Sequence, residues 1–328
     1  MERKKAGLQC VMAGIGVLVL IFDSTLALEG ARKGMDLCIR TVIPSLFPFF
    51  VLSAILTNSL QNLISHRSLV ISRFLGISPA AASVLLPAFL GGYPVGAKCI
   101  GDLYRSNQIS RAEAERLLAF CSNAGPSFLF GMVSGFFPER KMIWLLWFIH
   151  ILSALLTAAV IPADAQTGKS PFPKETSVQQ TLVWSAAKAM GLVCCWVILF
   201  RMVITFLNAW LFWLFPVWLK VLLTGMLELA NGCCDLLLIS EGNLRLILCS
   251  CMLAFGGICV LFQTAEVTHG LNLSNYVRGK FLQTGFSLLL SSGIVFKQGL
   301  ILLAVIPVSV FLLRKTQKRY GNPRALPV

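Results

Sequence analysis

The stretch Leu86-Pro-Ala-Phe-Leu-Gly-Gly-Tyr-Pro-Val-Gly-Ala-Lys98 places three glycines, two prolines and a lysine within thirteen residues of an otherwise membrane-like sequence. Backbone of this kind interrupts a helix. In hydrocarbon an interrupted helix leaves N–H and C=O groups unpaired unless protein, water or a ligand supplies partners. The expectation is a cavity at this break.

Around that stretch the chain is apolar: 56% of its 328 residues are hydrophobic and 13% charged, with a mean hydropathy of +0.78. These values predict an all-α polytopic membrane protein. The formal charge of +14 does not point to nucleic acid, because the Lys and Arg residues sit at the ends of apolar runs, as topology selection requires, and form no single stripe. Eleven cysteines without C-x2-C spacing, many inside apolar runs, read as small buried hydrophobes. No P-loop or H-E-x-x-H motif is present, and no nucleophile is placed with a base, so neither an enzyme, a cofactor nor a metal is expected.

Taken in order, Arg3, Lys4 and Lys5 place the N-terminus in the cytoplasm before a first helix within residues 1–30. Glu29 to Lys33 read as an outer loop, and a second helix from about Met35 carries Pro44 and Pro48 and should kink there. His66, Arg67 and Arg73 return the chain to the cytoplasm. Residues 77–106, two short arms around a Gly/Pro tip, read as a re-entrant hairpin. Ser110 to Glu113 predicts a capping box that opens a helix interrupted at Asn123-Ala-Gly-Pro126. A span over residues 142–162 completes the region 31–163.

Residues 164–178 form a hydrophilic cytoplasmic linker. The region 179–293 repeats the pattern, with a second hairpin near 210–240 and a helix broken at Gly256-Gly257; residues 294–328 supply a last helix and a basic cytoplasmic tail. The layout gives about eight transmembrane helices and two re-entrant hairpins, with five cations, Arg40, Lys98, Lys188, Arg201 and Lys220, inside spans or hairpins. Leu85 to Gly92 matches Leu222 to Leu229 loosely, and Leu117 to Ser122 matches Leu246 to Cys251. Under the charge layout the two repeats are inverted. Interrupted segments at corresponding positions of inverted repeats point to a secondary transporter with a midplane site, whose half-helix N-termini suit an anion or a polar heterocycle.

The motifs Ala31-Arg-Lys-Gly-Met35, Pro44-Ser-Leu-Phe-Pro-Phe-Phe50, Gly92-Tyr-Pro-Val-Gly-Ala-Lys98, Ser110-Arg-Ala-Glu-Ala-Glu-Arg116, Asn123-Ala-Gly-Pro126, Glu228-Leu-Ala-Asn-Gly232 and Phe255-Gly-Gly257 together resemble the sporulation integral membrane protein YlbJ family. That family lies in the wider nucleoside recognition Gate domain group, similar in hairpin architecture to concentrative nucleoside transporters. The resemblance implies a bacterial cytoplasmic membrane, a membrane facing the developing forespore, a role in endospore formation, and dipicolinate as the solute. The stretch Leu261-Phe-Gln263 departs from it, being less polar than the family's pattern.

The expected substrate-binding set is Tyr93, Gly96, Lys98, Asn123, Gly125, Glu228, Asn231, Gly232, Gly256 and Gly257. Lys98 would neutralise a carboxylate, or else snorkel to headgroups. Glu228 could hold a coupling proton or sodium ion, or pair with Lys98 or Arg201. Asn123 offers a ligand donor or a helix-to-helix hydrogen bond, and Tyr93 a stacking face or an interfacial anchor. Trp144, Trp147, Trp210, Trp213 and Trp218 read as belt or packing residues. The expected surroundings are membrane lipid and a small-molecule substrate, with a homo-oligomer or other sporulation membrane proteins left open. A nucleoside transporter and a non-transporting subunit of a sporulation complex are the rival readings.

Overall fold

The computed structural model describes residues 2–61, 72, 75–162 and 182–298, and these contain helices and no strand. Helix α1 (Glu2–Phe22) is followed by α2 (Ser24–Leu37), which is capped by Asp23 through the Leu26 N–H at 3.3 Å. The outer loop expected at Glu29 to Lys33 is therefore helix. Glu29 and Lys33 pair across one turn of its surface, a spacing that supports a helix. One π turn, Cys38–Val42, leads into α3 (Ile43–Gln61). Pro44 lacks the N–H and its ring crowds the preceding turn; the wider π turn just ahead of it takes up that mismatch.

Helix α2 packs along α9 (Leu182–Trp210). The contact is close because of small residues: a methyl at Gly30 would lie 2.7 Å from the Met202 Cα, and one at Gly34 2.8 Å from the Ile198 Cα.

The expected first hairpin is a chain of short helices, α4 (Pro79–Ala82), α5 (Leu85–Gly91) and α6 (Val95–Arg105), with the break at Gly92 to Pro94. Its counterpart comprises α10 (Val217–Leu227) and α11 (Leu229–Asp235), broken at Glu228. The longest single helices of the two hairpins, eleven residues each, reach about 16 Å, roughly half a hydrocarbon core of about 30 Å.

Helix α7 (Arg111–Cys121) gives way to non-helical backbone at Ser122 to Gly125 and resumes as a π and 3-10 stretch from Ser127 to Phe136. Ser110 caps α7 by accepting from the Glu113 N–H at 3.2 Å. The capping box is only half formed, since the Glu113 carboxylate accepts instead from the Ser78 N–H at 2.6 Å. Arg116, also buried, donates to the carbonyls of Leu75, Gly76, Ala158 and Ile161. These two charged side chains tie the hairpin's base to α7 and to the end of α8 (Arg140–Val160).

The second interrupted helix is α12 (Gly242–Phe255) and α13 (Ile258–Val267), followed by α14 (Ser274–Val295). Its break falls at Gly256-Gly257, as the sequence predicts. The order hairpin, interrupted helix, helix thus occurs twice. Both α8 and α14 pack on α7 and on α12, so the last helix of each half lies against both interrupted helices.

Among the described residues, four helical stretches are long and apolar enough to cross a membrane: Ser24–Leu52, Arg140–Val160, Val183–Trp210 and Gly242–Val267. Large apolar side chains including Phe22, Ile39, Phe148 and Phe281 stand exposed, as a lipid-facing surface requires. Trp144, Trp210, Trp213 and Trp218 are exposed too, whereas Trp147 packs on Phe130 and His150. His66, Arg67 and Arg73, the linker at 164–178, and the last helix with its basic tail from residue 299 lie outside the described residues.

Candidate functional site

The breaks in the two hairpins and in the two interrupted helices meet at one place. The backbone at Gly92 has φ +72°, a left-handed conformation that favours glycine. It lies directly on the first unwound segment: a methyl at Gly92 would sit 2.7 Å from the Gly125 N, and one at Gly125 2.9 Å from the Gly92 N. At the second interrupted helix, Gly256 has φ +83°, and a methyl there would meet the Tyr93 hydroxyl at 2.7 Å. Gly257 faces the other hairpin, against the carbonyls of Gly225 and Leu227.

Between these elements lies a cleft. Gly92 and Tyr93 line it from the first tip and Glu228 and Leu229 from the second; Gly125 and Ser127 come from one interruption, Val260 and Gln263 from the helix that follows the other, and Val42 of the π turn, Leu46 of α3 and Val193 and Val197 of α9 close the wall. Most of that lining is apolar, with a few polar groups, the usual makeup of a small-molecule site.

Glu228 is buried and caps α11 with its own carboxylate. It accepts from the Ala230 N–H at 3.0 Å, the Asn231 N–H at 2.7 Å and the Asn231 side-chain amide at 2.6 Å. The Asn231 Oδ1 in turn accepts from Arg201 at 2.9 Å. Of the partners the sequence left open for Glu228, the structure supplies Arg201, through Asn231. Beyond Arg201 opens a second, polar cleft lined by Glu29, Lys33, Lys220 and Asp235 among others. The chain Arg201, Asn231, Glu228 therefore runs between the two clefts.

Behind Tyr93 lies a group that the sequence analysis does not single out. Lys280 on α14 is buried, and its ammonium donates to the Tyr93 hydroxyl at 3.0 Å, to the Gln283 Oε1 at 3.0 Å, to the Ala254 carbonyl at 3.4 Å and, at closer range, to the Ser122 carbonyl. It also lies 5.1 Å from the Tyr93 ring centroid and 5.8 Å from that of Tyr276. Gln283 passes the network on by donating to the Asn123 Oδ1 at 2.9 Å, and Asn123 donates to the Phe120 carbonyl at 2.6 Å. His150 accepts from the freed Ala124 N–H at 3.1 Å. The signal that could have found this group is the stripe Lys280, Gln283, Ser287, Ser291, whose spacing places all four on one face of α14, where all are buried.

Of the expected residues, Tyr93, Gly125 and Glu228 line the cleft, while Asn231, Gly256 and Gly257 stand directly behind it. Asn123 belongs to the Lys280 network. Gly96 and Gly232 are packing positions, the first against the Cys121 carbonyl and the second against Gly225 in the facing arm. Lys98 stands apart: it is half-exposed on the polar face of α6 and pairs with Asp102 at 3.3 Å. Among the described residues no group of His, Cys, Asp and Glu is arranged to hold a metal ion.

No family model matches the chain, and no solved structure does. A curated relative, the sporulation integral membrane protein YlbJ of Bacillus subtilis (strain 168), is 34% identical over 132 residues, 39% of this chain. The match spans about a third, 32%, of that relative's length. It bears out the resemblance carried by the motifs and, with the apolar helices, identifies a multi-pass membrane protein.

Proposed function

We propose that this protein is a secondary transporter of a small anionic aromatic solute, acting in endospore formation, with dipicolinate the solute to test first. The observation that carries the reading is the convergence of four backbone interruptions on one cleft. Transporters built from repeats place their site where discontinuous helices meet, near the bilayer midplane. The hairpin arms are too short to cross, which suits re-entrant elements; the recurring order of hairpin, interrupted helix and helix suits two inverted repeats among about eight spans. The similarity to a sporulation membrane protein supports the setting, a bacterial cytoplasmic membrane around the forespore.

Within the cleft, Tyr93 offers an aromatic face and Glu228 a carboxylate. A carboxylate facing an anionic solute repels it unless a proton neutralises one of them. On this reading Glu228 carries the coupling proton, and Arg201 and Asn231 link it to the polar cleft outside. Reconstituted protein in liposomes should take up labelled dipicolinate faster than empty vesicles, and an inward proton gradient should increase the rate.

A second reading has its own support. Glu228 and Gln263 line the cleft, and among the described residues no Lys or Arg does so, a lining that suits an uncharged polar heterocycle such as a nucleoside. Uridine that competes with dipicolinate, or is carried in its place, would favour it.

A further inference from the structure

We infer that the Lys280 ammonium is a tethered cation filling a monovalent-cation site built by the two interrupted helices. The Ser122 carbonyl belongs to the residue that caps the C-terminal end of α7, and the Ala254 carbonyl to the last turn of α12. A helix ends with unpaired carbonyls and a negative dipole end, so two such ends converge on the ammonium. The Tyr93 hydroxyl and the Gln283 Oε1 complete an oxygen cage, with the Tyr93 and Tyr276 rings as flanking π faces.

Among the described residues no carboxylate is a partner of this ammonium. The titratable groups facing Lys280 are Tyr93, Tyr276, Cys121 and His150. The positive charge is held by neutral oxygen dipoles, the arrangement by which a protein holds a small bare cation. Because the cage takes oxygens from both halves and from the first hairpin tip, the tethered charge pins all three together. Any movement of that tip away from the interrupted helices must break the contact between Lys280 and Tyr93.

The site should therefore need no metal ion while Lys280 is present, and should take a cation of ammonium size once it is truncated. This inference rests on the cage geometry and not on transport, and its test reads binding and stability alone. Thermal unfolding of the purified protein in detergent is followed in choline chloride and in sodium, potassium or ammonium chloride at constant ionic strength. Wild-type protein should melt at the same temperature in all four salts. Lys280→Ala should melt several degrees lower in choline chloride and regain most of that loss, saturably, in ammonium or potassium chloride. Lys280→Met, which refills the stem's volume without charge, should not respond.

A Lys280→Ala protein indifferent to every cation would overturn the inference, as would a saturable sodium or potassium stabilisation of the wild type. If Lys280→Ala is too unstable to purify in choline chloride, its recovery only in potassium or ammonium chloride supports the inference. Its loss in every salt while Lys280→Met is recovered contradicts it, and the wild-type comparison decides on its own if neither variant is obtained.

Discussion

At the scale of single residues, Glu228, Asn231 and Arg201 form a chain in which each member satisfies the next. Replacing Arg201 by Met leaves the Asn231 Oδ1 without its donor. The expected loss is about 1–3 kcal/mol, seen as a lowered melting temperature in detergent. Glu228→Gln keeps the side chain's shape and one acceptor oxygen, so its structural cost should stay near that of a lost cap, about 1 kcal/mol. Its main effect should be on coupling, with uptake no longer increased by a proton gradient. An unchanged proton dependence would remove Glu228 from that role. Gly92→Ala combines a left-handed backbone with a clash against Gly125 and should destabilise by about 1–3 kcal/mol, whereas the same change at Gly135, where nothing lies within 4 Å, should be close to neutral.

Residue type alone made part of this site legible. Glycines and prolines in apolar sequence pointed to Tyr93, Gly125, Glu228 and the Gly256-Gly257 pair because helix breaks have local causes. Lys280 stayed hidden because its meaning is not local: the carbonyls it holds belong to residues 122 and 254, distant in the chain. Lys98 drew attention because it follows a break, but it lies on the exposed side of α6, where Asp102 one turn on pairs with it. Charge was misleading at Glu29 to Lys33 as well, where an ion pair on a helix surface has the composition of a loop.

At the scale of elements, the hairpins were readable as short arms around a break, and the arms are as short as expected. What could not be read was their seat: Gly92 on Gly125 and Gly256 on Tyr93 are contacts between segments, fixed by packing and not by propensity. The second helix break was readable from residue type, and it falls at the expected Gly256-Gly257 pair, where both backbones have φ > 0. Re-entrant hairpins predict a labelling pattern. On a cysteine-depleted background, Tyr93→Cys and Leu229→Cys, which line the cleft from the two hairpin tips, should both react with a small aqueous thiol reagent, and bound substrate should protect both. Reaction of each from the far surface, without protection, would make the hairpins ordinary spans.

At the scale of the whole molecule, composition sufficed for a helical membrane protein, and the four long apolar stretches agree. The chain's two halves share one centre because α8 and α14 each pack on both interrupted helices. On the proposed reading that centre is a transport site driven by protons, with its own tethered ammonium where a metal ion could sit. The most direct test is uptake of labelled dipicolinate into liposomes containing the purified protein, with proton and sodium gradients imposed separately. Uptake above that of empty vesicles, increased by an inward proton gradient and unchanged by sodium, is the predicted result. Uptake no faster than in empty vesicles under either gradient would contradict the account.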